Sequence, residues 1–128
     1  MTPGDLDACS VLCRGVHGID RRGELHDALG RLGPLVAIRD GRIAGYVAGR
    51  ALGHGTHGVA EREDDLRALV LAAGALNSEP VRLLVPTRQA SFFRWCLRAD
   101  LRVTAPMTLM AMGEYQEPRG AHFPSILY

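Results

Sequence analysis

The stretch Val81 to Met112, VRLLVPTRQASFFRWCLRADLRVTAPMTLMAM, constrains this chain more than any other. It opens with the apolar run Val81 to Val85, which Pro86 closes. Thr87 then offers a capping hydroxyl to a helical segment with Phe93, Cys96 and Leu97 on one face. A turn at Asp100 leads into a β-rich run ending in Met107, Leu109 and Ala111. The plainest reading is a buried strand, a crossover helix and a strand returning to the sheet, on which the rest of the chain must pack.

The preceding residues supply that packing. Thr2-Pro3-Gly4-Asp5 signals a helix start, with Thr2 as cap and Pro3 at the first helical position. Leu6, Cys9, Cys13 and Val16 recur at helical spacing, and Gly15 and Gly18 end the segment. Asp20 is a candidate cap for a second helix with Leu25, Ala28, Leu29 and Leu32 as its stripe, stopped by Gly33-Pro34. Residues 34–39 read as a strand, Asp40-Gly41 as a hairpin turn and residues 42–50 as the returning strand. Gly45 and Gly49 within it mark a bulge or a close approach to the backbone. A short third strand is expected around Thr56 to Ala60. Glu61 to Asp65 is an acidic cluster suited to a helix N-terminus, and Leu66, Leu69, Val70 and Ala73 line the helix that follows, to about Asn77. The Pro-rich tail is irregular and closes on Ile126-Leu127-Tyr128, which should be buried.

This order predicts one domain over residues 1–128 of the α/β (α+β) class. Its sheet is mixed and mostly antiparallel, with helices on both faces. A chain of 128 residues builds one core, not two. The net charge of +1 argues against a nucleic-acid or anionic-lipid partner, and no apolar run approaches a bilayer span. All 15 basic residues are Arg, which excludes a Schiff-base or P-loop lysine. Three cysteines fit a reducing compartment better than a disulfide framework, so the expected location is the cytoplasm.

The succession of elements resembles the GNAT family of N-acetyltransferases with its first strand missing or very short. Val36-Ala37-Ile38-Arg39-Asp40-Gly41-Arg42-Ile43-Ala44-Gly45-Tyr46 is similar to that family's second-to-third-strand hairpin. Pro86-Thr87-Arg88, the helix after it and Leu101-Arg102-Val103 are similar to its strand, CoA-side helix and following turn. The tail, with Glu117-Pro118-Arg119-Gly120 before Pro124-Ser125-Ile126-Leu127-Tyr128, looks like the second half of tandem proteins that carry two such domains. The resemblance implies acyl-CoA-dependent N-acyl transfer to a small amine, with acetyl-CoA as cofactor and a strand-four backbone N–H polarising the thioester carbonyl.

Two departures bear on that implication. The family holds the CoA pyrophosphate on Q/R-x-x-G-x-G/A where its fourth strand meets its third helix. Here that junction reads Val59-Ala60-Glu61-Arg62-Glu63-Asp64-Asp65, with no glycine and four carboxylates. Like charges a few Å apart repel by about 1 to 4 kcal/mol at surface-like dielectric. The family's usual tyrosine acid is also missing, because the last helix carries Phe92, Phe93 and Trp95, at least one of which should be exposed.

A literal match to the signature does occur earlier, at Arg50-Ala51-Leu52-Gly53-His54-Gly55, with a strand end and a bend as the alternative reading. In the family's frame Arg50, Gly53, Gly55, Thr87 and Arg88 would contact the cofactor. His54 or His57, with Glu61, would supply general base and orienting partner, since an imidazole titrates near neutral pH. The alternative is that these are exposed loop polars. Cys9, Cys13 and His17 share a helical face, but without a fourth ligand they read as buried thiols beside a helix-end histidine, with no metal. Met107, Met110 and Met112 read as core filling. Two functions follow: an acyl-CoA-dependent transferase, or a non-catalytic domain of the same shape that pairs with itself or with a companion domain.

Overall fold

The computed structural model describes residues 1–126; Ile126, expected to be buried, is exposed, and the same expectation for Leu127 and Tyr128 lies outside the described residues. A 3-10 turn over Pro3–Asp5 leads into α1 (Leu6–His17), followed by α2 (Arg22–Leu29). The Asp5 carboxylate accepts hydrogen bonds from the Thr2 N–H at 2.6 Å and the Thr2 hydroxyl at 2.9 Å, which fixes the chain's entry into the helix. Gly18, at φ 75°, ends α1 in the left-handed region and donates its N–H to the Arg14 carbonyl. Asp20 serves the start of α2 by accepting the Arg22 N–H at 2.8 Å, and it also ties back to Ser10 and Arg14 on α1. Leu32 lies beyond the end of α2 and is exposed, which shortens the expected stripe to Leu25, Ala28 and Leu29.

The hairpin β1 (Leu35–Arg39) and β2 (Arg42–Val47) turns through Asp40 and Gly41, both at positive φ. A bulge at Ala44 shifts the register between Ala37 and Ile38. Next to it, a Cβ on Gly45 would stand 3.0 Å from Ala60 Cβ and 3.1 Å from a Leu69 methyl. The glycine therefore lets helix α3 (Glu63–Ala75) lie close against the sheet. Strand β3 is short, Gly58–Ala60.

The crossover unit is where sequence and structure part. Its helix forms as α4 (Ala90–Arg98), with Phe92 rather than Phe93 facing the core and Leu97 exposed. Neither flank is a strand. Residues 81–85 sit between Pro80 and Pro86, and Val81, Leu83 and Val85 rest half-buried on the core without joining the sheet. In residues 101–112, Pro106 removes a ladder donor mid-run. Val103, Met107, Leu109, Met110 and Met112 are all exposed, so the methionines are not core filling.

The fourth strand comes instead from the tail, β4 (Ala121–Phe123). The sheet has the order β1-β2-β3-β4, and every neighbouring pair is antiparallel. The result is an α+β domain with helices on both sheet faces. Leu66, Leu69, Val70 and Ala73 of α3, with Phe92 and Cys96 of α4, meet Val47, Ala60 and Phe123 on one face. On the other, Leu6, Cys9, Cys13 and Val16 of α1 and Leu25 of α2 meet Tyr46, Ala48 and Val59.

Candidate functional site

Register determines what lies under α1 and α2. Tyr46 pairs with Val59, and Val59 with His122, so these three side chains form a row on one face of the sheet. Strand alternation places His57, two residues before Val59, on the same face. His57 is fully buried, as are Tyr46 and, nearly so, His122, His17 and Arg21. A polar layer thus lies inside what periodicity alone paints as an apolar interface.

Its bonds run in series. The Tyr46 hydroxyl is 3.1 Å from His57 Nε2, and His57 Nδ1 is 3.1 Å from a Glu24 carboxylate oxygen and 3.3 Å from Arg21 Nη1. Burial raises the Tyr46 hydroxyl far above its ordinary range, so it stays protonated and donates to Nε2. The neutral His57 then donates Nδ1–H to Glu24, whose carboxyl is held below its ordinary range chiefly by that hydrogen bond. Desolvation keeps His57 itself below its ordinary value. The Cys13 thiol adjoins the Tyr46 hydroxyl, and burial raises both it and Cys9, the latter to about 12. Carboxylate, imidazole and hydroxyl stand in the order of a proton relay. With no part of Tyr46 or His57 at the surface, no substrate reaches them, and the series works as a polar pin.

A second cluster, where β3 runs into α3, is electrostatic. Glu61 pairs with Arg42 and, at 2.5 Å, with Arg39, and the Arg42 hydrogen bond is the main cause of its lowered carboxyl pKa. Arg39 also lies 3.5 Å from Asp65, while Arg67 takes Glu63 and Asp64. The four carboxylates expected to repel an anion are therefore each matched by an arginine. An open groove of about 420 Å³ runs from Glu61 and Glu63 past Arg88, Gln89 and Ser91 to Gly120 and Ala121. Arg88 is engaged there, paired with Glu117 and donating to the Pro118 carbonyl at 2.8 Å.

The residues singled out in the sequence are scattered by this architecture. His54 is exposed in the bend before β3, where its carbonyl accepts the Ile126 N–H. His57 lies buried just before β3 and Glu61 just past its other end. Gly53 and Gly55 belong to the same bend, in which the Thr56 N–H bonds to the Gly53 carbonyl, and the chain continues into β3 rather than a helix N-terminus. Arg50 is exposed and accepts from Asn77 through its carbonyl. Thr87 is exposed beside Arg88. Of these, only Glu61 and Arg88 face a common groove.

Sequence reasoning passed over Arg21, Glu24, Gln89 and His122. His122 carried a signal, since Gly120 and Pro124 bracket the triplet Ala121-His122-Phe123 as turns bracket a strand. Gln89 uses its side-chain amide as a strand would, donating to the His122 carbonyl at 2.6 Å and accepting the His122 N–H at 3.1 Å. None of Phe92, Phe93 and Trp95 is exposed, against the expectation for at least one of them: Phe92 is buried, and Phe93 and Trp95 are half-buried. Trp95 stacks on Phe92 at 5.6 Å, and the Arg67 guanidinium lies 5.7 Å from the Trp95 ring centre. Cys9, Cys13 and Cys96 are buried free thiols, and no group of three or more His, Cys, Asp or Glu among the described residues could hold a metal ion. Among the described residues, no helix is long and apolar enough to cross a membrane. No family model, curated protein or solved structure matches the chain, so the chemistry rests on the geometry.

Proposed function

We propose that this chain is an acetyltransferase-like domain of the GNAT type that acts as an association partner rather than as a catalyst. One observation carries the reading: both edges of β3 are occupied. Gly58, Val59 and Ala60 pair with β4 on one side and with Val47, Tyr46 and Gly45 of β2 on the other. The strand whose N–H would polarise an acyl thioester has its backbone committed to the sheet. Gln89 covers the next edge at His122, so no cleft opens between strands there. Against this closed sheet stands the exposed apolar segment from Val103 to Met112, a surface suited to burial against a second copy.

Titration with acetyl-CoA under thermal denaturation tests the catalytic half of the statement. The expected result is no stabilisation up to millimolar ligand. Stabilisation approaching about 2.7 kcal/mol at a hundredfold excess over Kd would overturn it. Light scattering tests the other half. A dimer that Leu109→Asp/Met110→Asp converts to monomer is expected, and a monomeric wild-type protein overturns self-association.

A second reading, acyl-CoA-dependent transfer to a small amine, draws on the groove shared by Glu61 and Arg88 beside the start of α4. It predicts that acetyl-CoA binds and that Arg88→Ala weakens binding.

A further inference from the structure

Residues 116–123 form a strap across the end of α1. The Arg119 N–H bonds to the Val16 carbonyl at 2.7 Å. Gly120, at φ 117°, brings the chain so near that a Cβ there would lie 3.3 Å from a Val16 methyl, and the Gln116 side chain lies against Gly18. The His122 ring meets the His17 ring edge-on, with centroids 5.2 Å apart. Each contact falls on the last turn of α1 or the residue after it.

The two rings meet in surroundings hostile to a proton. His17 Nε2 is buried without a hydrogen-bond partner. His122 Nδ1 is 3.1 Å from the Gly120 carbonyl, which suits a neutral ring donating from that atom. The charged and titratable groups facing the pair are Arg21 before α2, His57 before β3 and Arg88 before α4. Tyr46 and Cys13 beyond them are neutral. The carboxylate in contact with this layer, Glu24 on α2, is already bonded to His57 and Arg21. Asp20 turns outward to Ser10 and Arg14. A proton arriving on His17 thus finds cationic neighbours and no acceptor at Nε2, and on His122 the Gly120 carbonyl is the acceptor at Nδ1.

We propose that the His17–His122 contact is an acid-operated latch: neutral, it holds the strap and β4 on α1, and a proton on His17 releases them while the rest of the domain stays folded. The sign follows from the direction of the shift. Burial lowers His17 from its ordinary 6.5 to about 4, so the released state binds the proton first. The latch is fully held above about pH 6.5 and weakens as pH falls toward about 4. Between pH 7 and pH 5 that linkage shifts the closed-to-open ratio about 20-fold toward open.

Amide hydrogen exchange on the whole chain, corrected for intrinsic rates, reads this directly. Protection at Arg119 and His122 should fall about 20-fold from pH 7 to pH 5, while Leu69 and Val70 in α3 stay unchanged. In His17→Phe, which keeps a ring but cannot take a proton, the fall in strap protection over the same range should shrink markedly, leaving only the part due to burial of His122. Loss of protection in strap and α3 together means global acid unfolding and overturns the latch. So does a pH-independent strap in the wild type. Proton NMR of the wild-type histidines stands independently of whether His17→Phe folds: His17 titrating near 6.5 with the strap still protected also overturns the proposal.

Discussion

The two layers of this domain are built on different terms. Between the sheet and α3/α4, burial is apolar apart from the Cys96 thiol, which burial keeps protonated: Leu66, Phe92 and Phe123 are closed off from water. Between the sheet and α1/α2, comparable burial is shared with Tyr46, His57, His17, His122 and Arg21. The first layer draws its stability from area and packing and is indifferent to pH. The second depends on its buried hydrogen bonds and on each imidazole staying neutral. Equal burial therefore does not mean equal robustness, and the polar layer is where solution conditions act.

The largest expected effect breaks the apolar layer. Phe92→Ala removes a fully buried ring and the platform on which Trp95 stacks, and it should destabilise the domain by about 3 to 5 kcal/mol. Urea denaturation at pH 7 and pH 5 should return the same loss; a loss that differs between the two would erase the contrast between the layers.

Next is Gly45→Ala. A methyl there meets the Val59 carbonyl at 3.2 Å as well as Ala60 and Leu69, so strand backbone must yield. About 1 to 3 kcal/mol is expected from such overpacking. A neutral result would show that α3 can lift off the sheet freely.

Tyr46→Phe probes the other layer at nearly constant volume. It strips His57 Nε2 of its donor and should cost about 1 to 3 kcal/mol. Should the variant match wild type in denaturant, the polar series is decorative.

The smallest effect is that of Glu24→Gln, because the Glu24 side chain is 44% exposed and screened by water. Its lowered carboxyl pKa makes its contribution present above the ordinary 4.5 and lost as pH falls through the lowered value. Less than about 1 kcal/mol at pH 7, vanishing in stronger acid, should appear in the pH profile of stability.

Much of the local structure was legible beforehand. The stripes of α1 and α3, the Asp40-Gly41 turn and the tight approach at Gly45 and Gly49 all follow from residue-scale rules of spacing, capping and φ. Buried thiols beside a helix-end histidine were expected and are present. The acidic run Glu61 to Asp65 was correctly placed at a helix start. Its meaning was not legible, because Arg39 and Arg42, which neutralise it with Arg67, come from a hairpin some twenty residues away.

What the sequence determined by itself is what short-range chemistry can decide: the helices and the hairpin of the described residues, an α+β domain, and the buried faces of α1 and α3 but not that of α4. Tertiary structure alone decided which segment completes the sheet. Residues 81–85 have the composition of a strand, but β3 offers only three residues and Ala121–Phe123 holds its remaining edge. Strand pairing is a competition for a shared edge, settled by loop reach, prolines and packing on the far side. For the same reason His17, His57 and His122, scattered along the chain, become one buried layer only when the register brings them together.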